Sequence, residues 1–238
     1  MRTTIRPTRL LASVVLLVLA GCFKLSRESP RLQQFVLSGA MQANAATSAT
    51  AGTPSAPARA GLTLGLRRLD LASYLSVPAI LVRRGENEIV VSEFHRWGED
   101  LDEGVNRAVA AHLANSPPVQ AVDVAPWPAR ARHNYLVQLH VSRFEGLADS
   151  AATEGRIHVL AGWDIIRPLD GAVLVRGSTD DRAGSWRVGD YAALVTGLDA
   201  ALSRLARDIS ACLSRFPNDS TPPVSCASAA GAGGSGGR

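Results

Sequence analysis

Tyr191, Val195, Leu198, Leu202, Leu205, Ile209 and Cys212 recur in steps of four and three residues late in the chain. That spacing gathers them on one side of an α-helix. Asp190 stands where an N-cap belongs, and about 24 residues would make a helix roughly 36 Å long. Three heptads are at the lower limit for a coiled coil. Leu194, Ala201 and Leu213 broaden the seam toward the wider stripe that a helix needs against a sheet. The rest of the chain must therefore supply a sheet with a matching apolar face.

Strands of that kind follow one another. Leu62, Leu64 and Leu66 alternate with Thr63, Gly65 and Arg67, a half-buried pattern. Residues 31–37, ending in Phe35-Val36-Leu37, read as a strand before it, and residues 70–74 as a turn or helical stub after it. Residues 79–83 and 88–94 flank the hairpin turn Arg84-Gly85-Glu86-Asn87. A helix then carries Leu101, Val105, Val109 and Leu113 on one face, with Ala108 and His112 on its shoulder. Asp100 and Glu103 suggest a capping box, and Asn115-Ser116-Pro117-Pro118 ends the helix. Tyr135, Val137, Leu139 and Val141 alternate again, as do Ile157, Val159, Ala161, Trp163 and Ile165. Residues 172–176 give a further strand after the Asp170-Gly171 turn. The order β–β–β–α–β–β–β–α predicts an α+β fold, a mostly antiparallel sheet with two helices packed on one face. The domain runs over residues 31–216. Residues 39–60, rich in Ala, Ser, Thr and Pro, read as a flexible loop spanning about 25 Å, and 217–238 as a disordered tail.

The N-terminus is of another kind. Arg2, Arg6 and Arg9 precede an apolar run of 11 residues, 10–20, where a bilayer span needs about 20. Leu19-Ala20-Gly21-Cys22 closes that run and matches the lipobox of bacterial lipoproteins. The match implies a signal peptide over 1–21, diacylglycerol on the Cys22 thiol, a fatty acid such as palmitate on the new N-terminus, and a tether over 22–30. Phe23 rather than Asp after the cysteine implies outer-membrane delivery in a Gram-negative bacterium. Cleavage removes three basic residues and no acidic ones, leaving 22 Lys and Arg against 21 Asp and Glu. A nearly balanced chain predicts no nucleic-acid partner. In an oxidising periplasm Cys212 and Cys226 are either bridged, tying the tail to the last helix, or two separate thiols; the sequence leaves both open.

Motifs for catalysis are missing. Gly231-Ala232-Gly233-Gly234-Ser235-Gly236 fits a dinucleotide-binding expression but has neither strand before it nor helix after it. Lys24 is not preceded by glycine, which removes a P-loop, and neither G-x-S-x-G nor H-E-x-x-H occurs. His140 and His158 fall on adjacent predicted strands, with His133 as a distant third ligand. Solvent-facing histidines account for them more simply than zinc. Asp180-Asp181 falls at a predicted turn and Asp100 with Asp102 at a helix start, where solvation and the helix dipole explain them. The sequence therefore predicts no catalytic residues, no metal and no cofactor. Of the four tryptophans, Trp163 belongs in the core and Trp186 is expected to be buried. Trp127, between Pro126 and Pro128, is a candidate exposed contact, and Trp97 a staple for the corner before the first helix.

Leu69-Asp70-Leu71-Ala72-Ser73-Tyr74-Leu75, then Ile80-Leu81-Val82-Arg83-Arg84, then Arg96-Trp97-Gly98-Glu99-Asp100-Leu101 resemble the PqiC-like family of ABC-type transport auxiliary lipoproteins. That family places a tyrosine-bearing stub before an I-V-x-R strand, and an R-W corner before a helix. Here Asp100 replaces a more usual proline. The resemblance covers most of the mature chain, from Phe35 to Leu213. It implies a non-enzymatic outer-membrane lipoprotein on the periplasmic face, docking an MCE-domain (mammalian cell entry) protein of a lipid transport system. Arg96, Trp97, Glu99 and Asp100 become the candidate partner-binding residues, and a homo-oligomeric ring would suit a symmetric partner. The alternative is an envelope-assembly or secretion lipoprotein with a protein client.

Overall fold

The computed structural model describes residues 31–39, 61–215 and 226–227. The signal peptide, Cys22 and the tether, residues 40–60 of the expected loop, and all of the 217–238 tail except Cys226 and Ala227 lie outside the described residues. In chain order the elements are β1 (Gln33–Phe35), β2 (Leu62–Leu66), β3 (Asp70–Leu71), a 3₁₀ turn at Ser73–Leu75, β4 (Ala79–Arg84), β5 (Glu88–Trp97), α1 (Leu101–Ala114), β6 (Val119–Val124), β7 (Tyr135–Leu147), β8 (Glu154–Ile166), β9 (Val173–Asp181), β10 (Ser185–Arg187), α2 (Tyr191–Leu213) and β11 (Cys226–Ala227).

β7 is the spine. One of its edges pairs antiparallel with β8 from Leu136 to Leu147. The other edge takes β2, β3 and β4 in turn, each parallel to it. β4 turns back into β5 and β8 into β9, both antiparallel, and Gly85 supplies the left-handed residue (φ +56°) of the first turn. The long ladders are thus antiparallel. The short strands β1, β6 and β11 add parallel pairs to β5, β2 and β9.

Both helices cover one face, as the apolar spacing predicts. Val137, Leu139 and Val141 stand opposite Ile165, Trp163 and Ala161. All six are buried beneath α2, whose Leu198, Leu202, Leu205 and Ile209 are at zero exposure. Asp190 caps α2 by accepting from the Ala193 N–H at 3.0 Å. α1 packs beside α2 and buries Leu101, Val105, Val109 and Leu113. Cys212 and Cys226 form a disulfide with Cα atoms 5.6 Å apart. The bridge holds β11 against Gly177 and Ser178 of β9.

The structure departs from the sequence reading in several of its elements. β1 is shorter than 31–37: Leu37 leaves the strand to enter the core. Gly39, assigned to the loop, is docked by its φ of +58° and by Ala108 and Ala111 of α1. β6 and β10 have no counterpart in that reading, because the apolar repeat of Val119, Ala121, Val122 and Val124 changes phase within β6 and β10 is only three residues long. β9 runs on to Asp181, so Asp180 and Asp181 belong to a strand and not to a turn. Within the tail expected to be disordered, Cys226 and Ala227 form β11, placed by the bridge.

Gly177 faces Trp163 across the β8–β9 ladder, and a Cβ there would overlap the indole. Gly162, on the opposite face of β8, has nothing nearer than 3.9 Å to such an atom. Gly177→Ala should therefore cost about 1–3 kcal/mol. Gly162→Ala should be close to neutral. Urea midpoints compare the two, and equal losses would contradict this packing.

Candidate functional site

Two groups of side chains stand out, one at the corner between β5 and α1 and one on the sheet face away from the helices. At the corner, Trp97 is buried (6% exposed) with its ring 5.9 Å from that of Phe144. The Trp97 backbone N–H donates to the Pro78 carbonyl at 2.7 Å, and the Gly98 N–H to that of Phe35 at 2.8 Å. Three segments are thereby tied together. Arg96 is exposed, and Glu99 pairs with Arg107. Asp100 takes an N-cap backbone conformation (φ −62°, ψ 131°), but its carboxylate makes no cap hydrogen bond. The expected capping box is therefore absent: Glu99 packs over the first turn, 3.0 Å from where a Gly104 Cβ would lie. Beside the corner lies an open cleft of about 600 Å³. Its floor includes the buried Leu69 and Leu101, Val77 stands exposed at its edge, and Asp70, Glu99, Asp100 and Asp102 give it an acidic rim. Arg96, Glu99 and Asp100 are at or near the surface, whereas Trp97 is the strut behind them.

The second group surrounds Glu145, which is fully buried. Arg83 Nε pairs with one carboxylate oxygen and Nη2 reaches the other at 3.4 Å. Arg143 Nη1 adds a contact at 3.3 Å, and the Tyr74 hydroxyl donates to Oε2 at 2.9 Å. The Arg83 guanidinium also lies 5.6 Å from the centre of the Tyr74 ring. Burial, reinforced by the adjacent Glu145 charge, pushes the Tyr74 phenol up to about 12. Tyr74 and Arg83 both belong to the stretches that carry the family resemblance, yet nothing in their spacing pointed to Glu145 as the group that joins them.

The histidines do not converge. Glu145, not His140, stands opposite His158, and His140 faces Gly162. His140 contacts Asp70 (3.2 Å), and His133 contacts Asp123 (2.9 Å) and meets the half-exposed Trp127 edge-on. His158 is not solvent-facing: it is 3% exposed, with Nε2 3.0 Å from Asp180 Oδ1. Asp181, in turn, is buried and paired with Arg204 of α2. Among the described residues no group of three or more His, Cys, Asp or Glu is placed to hold a metal. Ser92 Oγ is 2.8 Å from His95 Nδ1, but the ring stacks on Tyr191, 3.8 Å between centroids, and no carboxylate orients it. Trp186 is buried, as is Trp163.

Residues 44–210 match the family model for the ABC-type transport auxiliary lipoprotein component. The chain belongs to that family. It is thus an ABC-type transport auxiliary lipoprotein, of a family defined by transport and not by an enzymatic activity. Among solved structures, a DUF330 protein from Xanthomonas campestris shares the fold at TM-score 0.55 and 18% identity, over 66% of this chain and 86% of that one. An uncharacterised protein does so at 0.50 and 15%, over 64% and 92%. A PelC dodecamer from Paraburkholderia phytofirmans is a looser likeness, TM-score 0.38 and 16% identity, over 66% and 96%. No curated protein matches the chain. None of the described helices of this auxiliary lipoprotein is long and apolar enough to cross a membrane.

Two outcomes follow for the auxiliary lipoprotein's stability. Arg83→Met leaves the Glu145 charge buried and short of a partner, and should cost about 3 kcal/mol or more in urea unfolding. Tyr74→Phe should cost about 1 kcal/mol. The second outcome concerns pH. Burial, helped by the Arg182 charge, holds the His158 imidazole below its usual 6.5, and burial does the same to His95. The unfolded chain therefore takes up these protons first as pH falls. Their contribution is complete above about pH 6.5 and declines below it, toward the depressed folded values. The urea midpoint should drop between about pH 7.5 and about pH 5.5, and drop less in His158→Gln. An unchanged slope in that variant would contradict the assignment.

Proposed function

We propose that this auxiliary lipoprotein is acylated at Cys22, resides on the periplasmic face of the outer membrane, and docks an MCE-domain component of an ABC-type system that moves phospholipid across the envelope. The observation carrying this reading is the coincidence of the family match over residues 44–210 with the lipobox Leu19-Ala20-Gly21-Cys22. Two or more acyl chains, at about 0.8 kcal/mol per buried CH₂, give lasting attachment.

Partner docking is assigned to the corner built by Arg96, Trp97, Glu99 and Asp100. The cleft beside it supports this choice. It offers an apolar floor next to charged groups, the pattern of an interface with a dry centre and a polar rim. Trp97 acts by holding the corner in place. Replacing it empties core volume, so rim substitutions such as Val77→Arg with Asp100→Lys are the cleaner probes.

In detergent-solubilised envelopes the wild-type chain should co-purify with an MCE-domain protein and incorporate labelled palmitate. Val77→Arg/Asp100→Lys should still be labelled and sorted to the outer membrane, while partner recovery falls at least about tenfold, equivalent to 1.4 kcal/mol. Cys22→Ala should abolish labelling. Recovery of secretion or assembly proteins in place of an MCE-domain protein would sink the transport reading.

A further inference from the structure

On the outer face of the sheet, positive charge exceeds negative charge around two strand-borne carboxylates. Glu145 serves two guanidiniums at once, those of Arg83 and Arg143, and its third donor, the Tyr74 phenol, brings no charge. Directly across the ladder is His158, whose Nε2 is fixed on Asp180. Arg182 holds the same Asp180 through Nε and Nη2, at 3.1 and 3.2 Å. Arg156, two residues before His158 on the same side of β8, rests one nitrogen on the Arg182 carbonyl at 2.9 Å and is otherwise exposed. Four guanidiniums thus face two carboxylates. The next acids along this face, Asp149 and Glu154, line a hollow of about 270 Å³ at the hairpin end together with Arg83 and Arg156.

His158 makes this a built site as well as a charged surface. Its side chain is 97% enclosed, given an exposure of 3%. With Nε2 committed to Asp180, the ring has a second nitrogen, Nδ1, that takes no hydrogen bond from the described residues. A guanidinium on either side and an imidazole between them is a set of donors suited to the oxygens of a phosphate. Burial, helped by the neighbouring Arg182 and Arg143 charges, disfavours the charged imidazole, and an arriving anion would oppose that.

We propose that Arg143, Arg156 and Arg182 around His158 bind a phosphate group, and that in the anchored protein this phosphate belongs to a phospholipid headgroup. The choice of source rests on the proposed acylation of Cys22. β1 runs parallel to β5, with Gln33 beside His95, so the start of β1 points toward the sheet end that holds the β4–β5 turn. That is also the end where Arg83 and Arg156 flank Leu147 on neighbouring strands. Cys22 lies 11 residues before Gln33, a reach of at most about 40 Å. A leaflet holding the acyl chains is therefore within range of this face.

The test uses the full lipidated chain in dodecyl maltoside micelles, with the His158 ring followed by NMR across a pH titration. Inorganic phosphate is added in one arm and phosphatidylglycerol in another, with phosphatidylcholine as the control lipid. Phosphatidylglycerol should raise the apparent His158 pKa by about one unit, since a bound anion favours the imidazolium. The Arg143→Gln/Arg156→Gln variant should lose that shift, and Arg156→Gln alone, at an exposed residue that does not touch Glu145, should weaken it while unfolding at an unchanged temperature. Arg143→Lys should restore part of it, and Arg176→Gln, elsewhere on the same face, should leave it intact. A response to inorganic phosphate alone overturns the headgroup assignment. No response in either arm, or a full response in the double variant, overturns the site. The acylation reading is judged separately by the mass of the Cys22 peptide, and an unmodified thiol there leaves the micelle result to stand on its own.

Discussion

A single irregularity in β7 sets the character of both sheet faces. Val137, Leu139 and Val141 point toward the helices, and strict alternation would send Arg143 and Glu145 the same way. The register shift between Val141 and Arg143 inverts the phase. Beyond it Phe144 and Gly146 turn inward, Gly146 beneath Trp186 and Leu194, while Glu145 turns outward to Arg83 and Tyr74. One extra residue thus keeps a charge cluster out of the apolar layer under α2, where desolvating two arginines and a glutamate would cost several kcal/mol per ion. It also carries Arg143 to the face where His158 stands.

The two faces then follow different rules. On the helix side, polar groups survive where α2 answers them: Asp181 meets Arg204, and Thr179 donates to Asp208 at 2.7 Å. Trp163 is accommodated because its cross-strand neighbour is Gly177. On the far side no layer of helices is available. Burial there is local, provided by the 3₁₀ turn that lowers Tyr74 onto Glu145 and by long arginine side chains lying over their neighbours. Stems cover apolar surface while guanidinium heads stay near water, which leaves them available to a ligand.

Legibility in the sequence tracks how local the cause is. α2 is readable because apolar residues recurring in steps of four and three over three heptads fit little except an amphipathic helix, and Asp190 marks its start. α1 is readable by the same pattern, but not its cap: whether Asp100 or Glu99 occupies the first turn depends on packing against Gly104 and Arg107. The β4–β5 hairpin follows from Arg84-Gly85-Glu86-Asn87. The parallel placement of β2, β3 and β4 along β7 has no local signal, because it joins residues some 60 to 70 positions apart. The Glu145 cluster is hidden for the same reason. Tyr74 and Arg83 lie in recognisable stretches, but their common partner depends on a bulge that composition does not announce. His158 reads as a surface histidine because its neighbours alternate cleanly. Its charged neighbours, Arg143 of β7 and Arg182 just past the end of β9, are brought to it by the sheet and not by nearby sequence.

If the proposed anchoring and docking hold, the corner and the arginine face divide the labour of the protein along physical lines. A site for a lipid phosphate on a chain already held by acyl groups does not have to be tight. Tethering over a short linker raises the local ligand concentration to the order of millimolar or above, so individually weak guanidinium contacts suffice to orient the domain. Strong headgroup binding would oppose release from the leaflet and make the acyl chains redundant. The acidic-rimmed cleft is built from other segments, the β3 and β4 approaches and the start of α1, and its charge is opposite in sign. On the proposed reading, an anionic membrane would attract one surface and repel the other, which would leave the Trp97 corner clear for the proposed protein partner without any dedicated hinge.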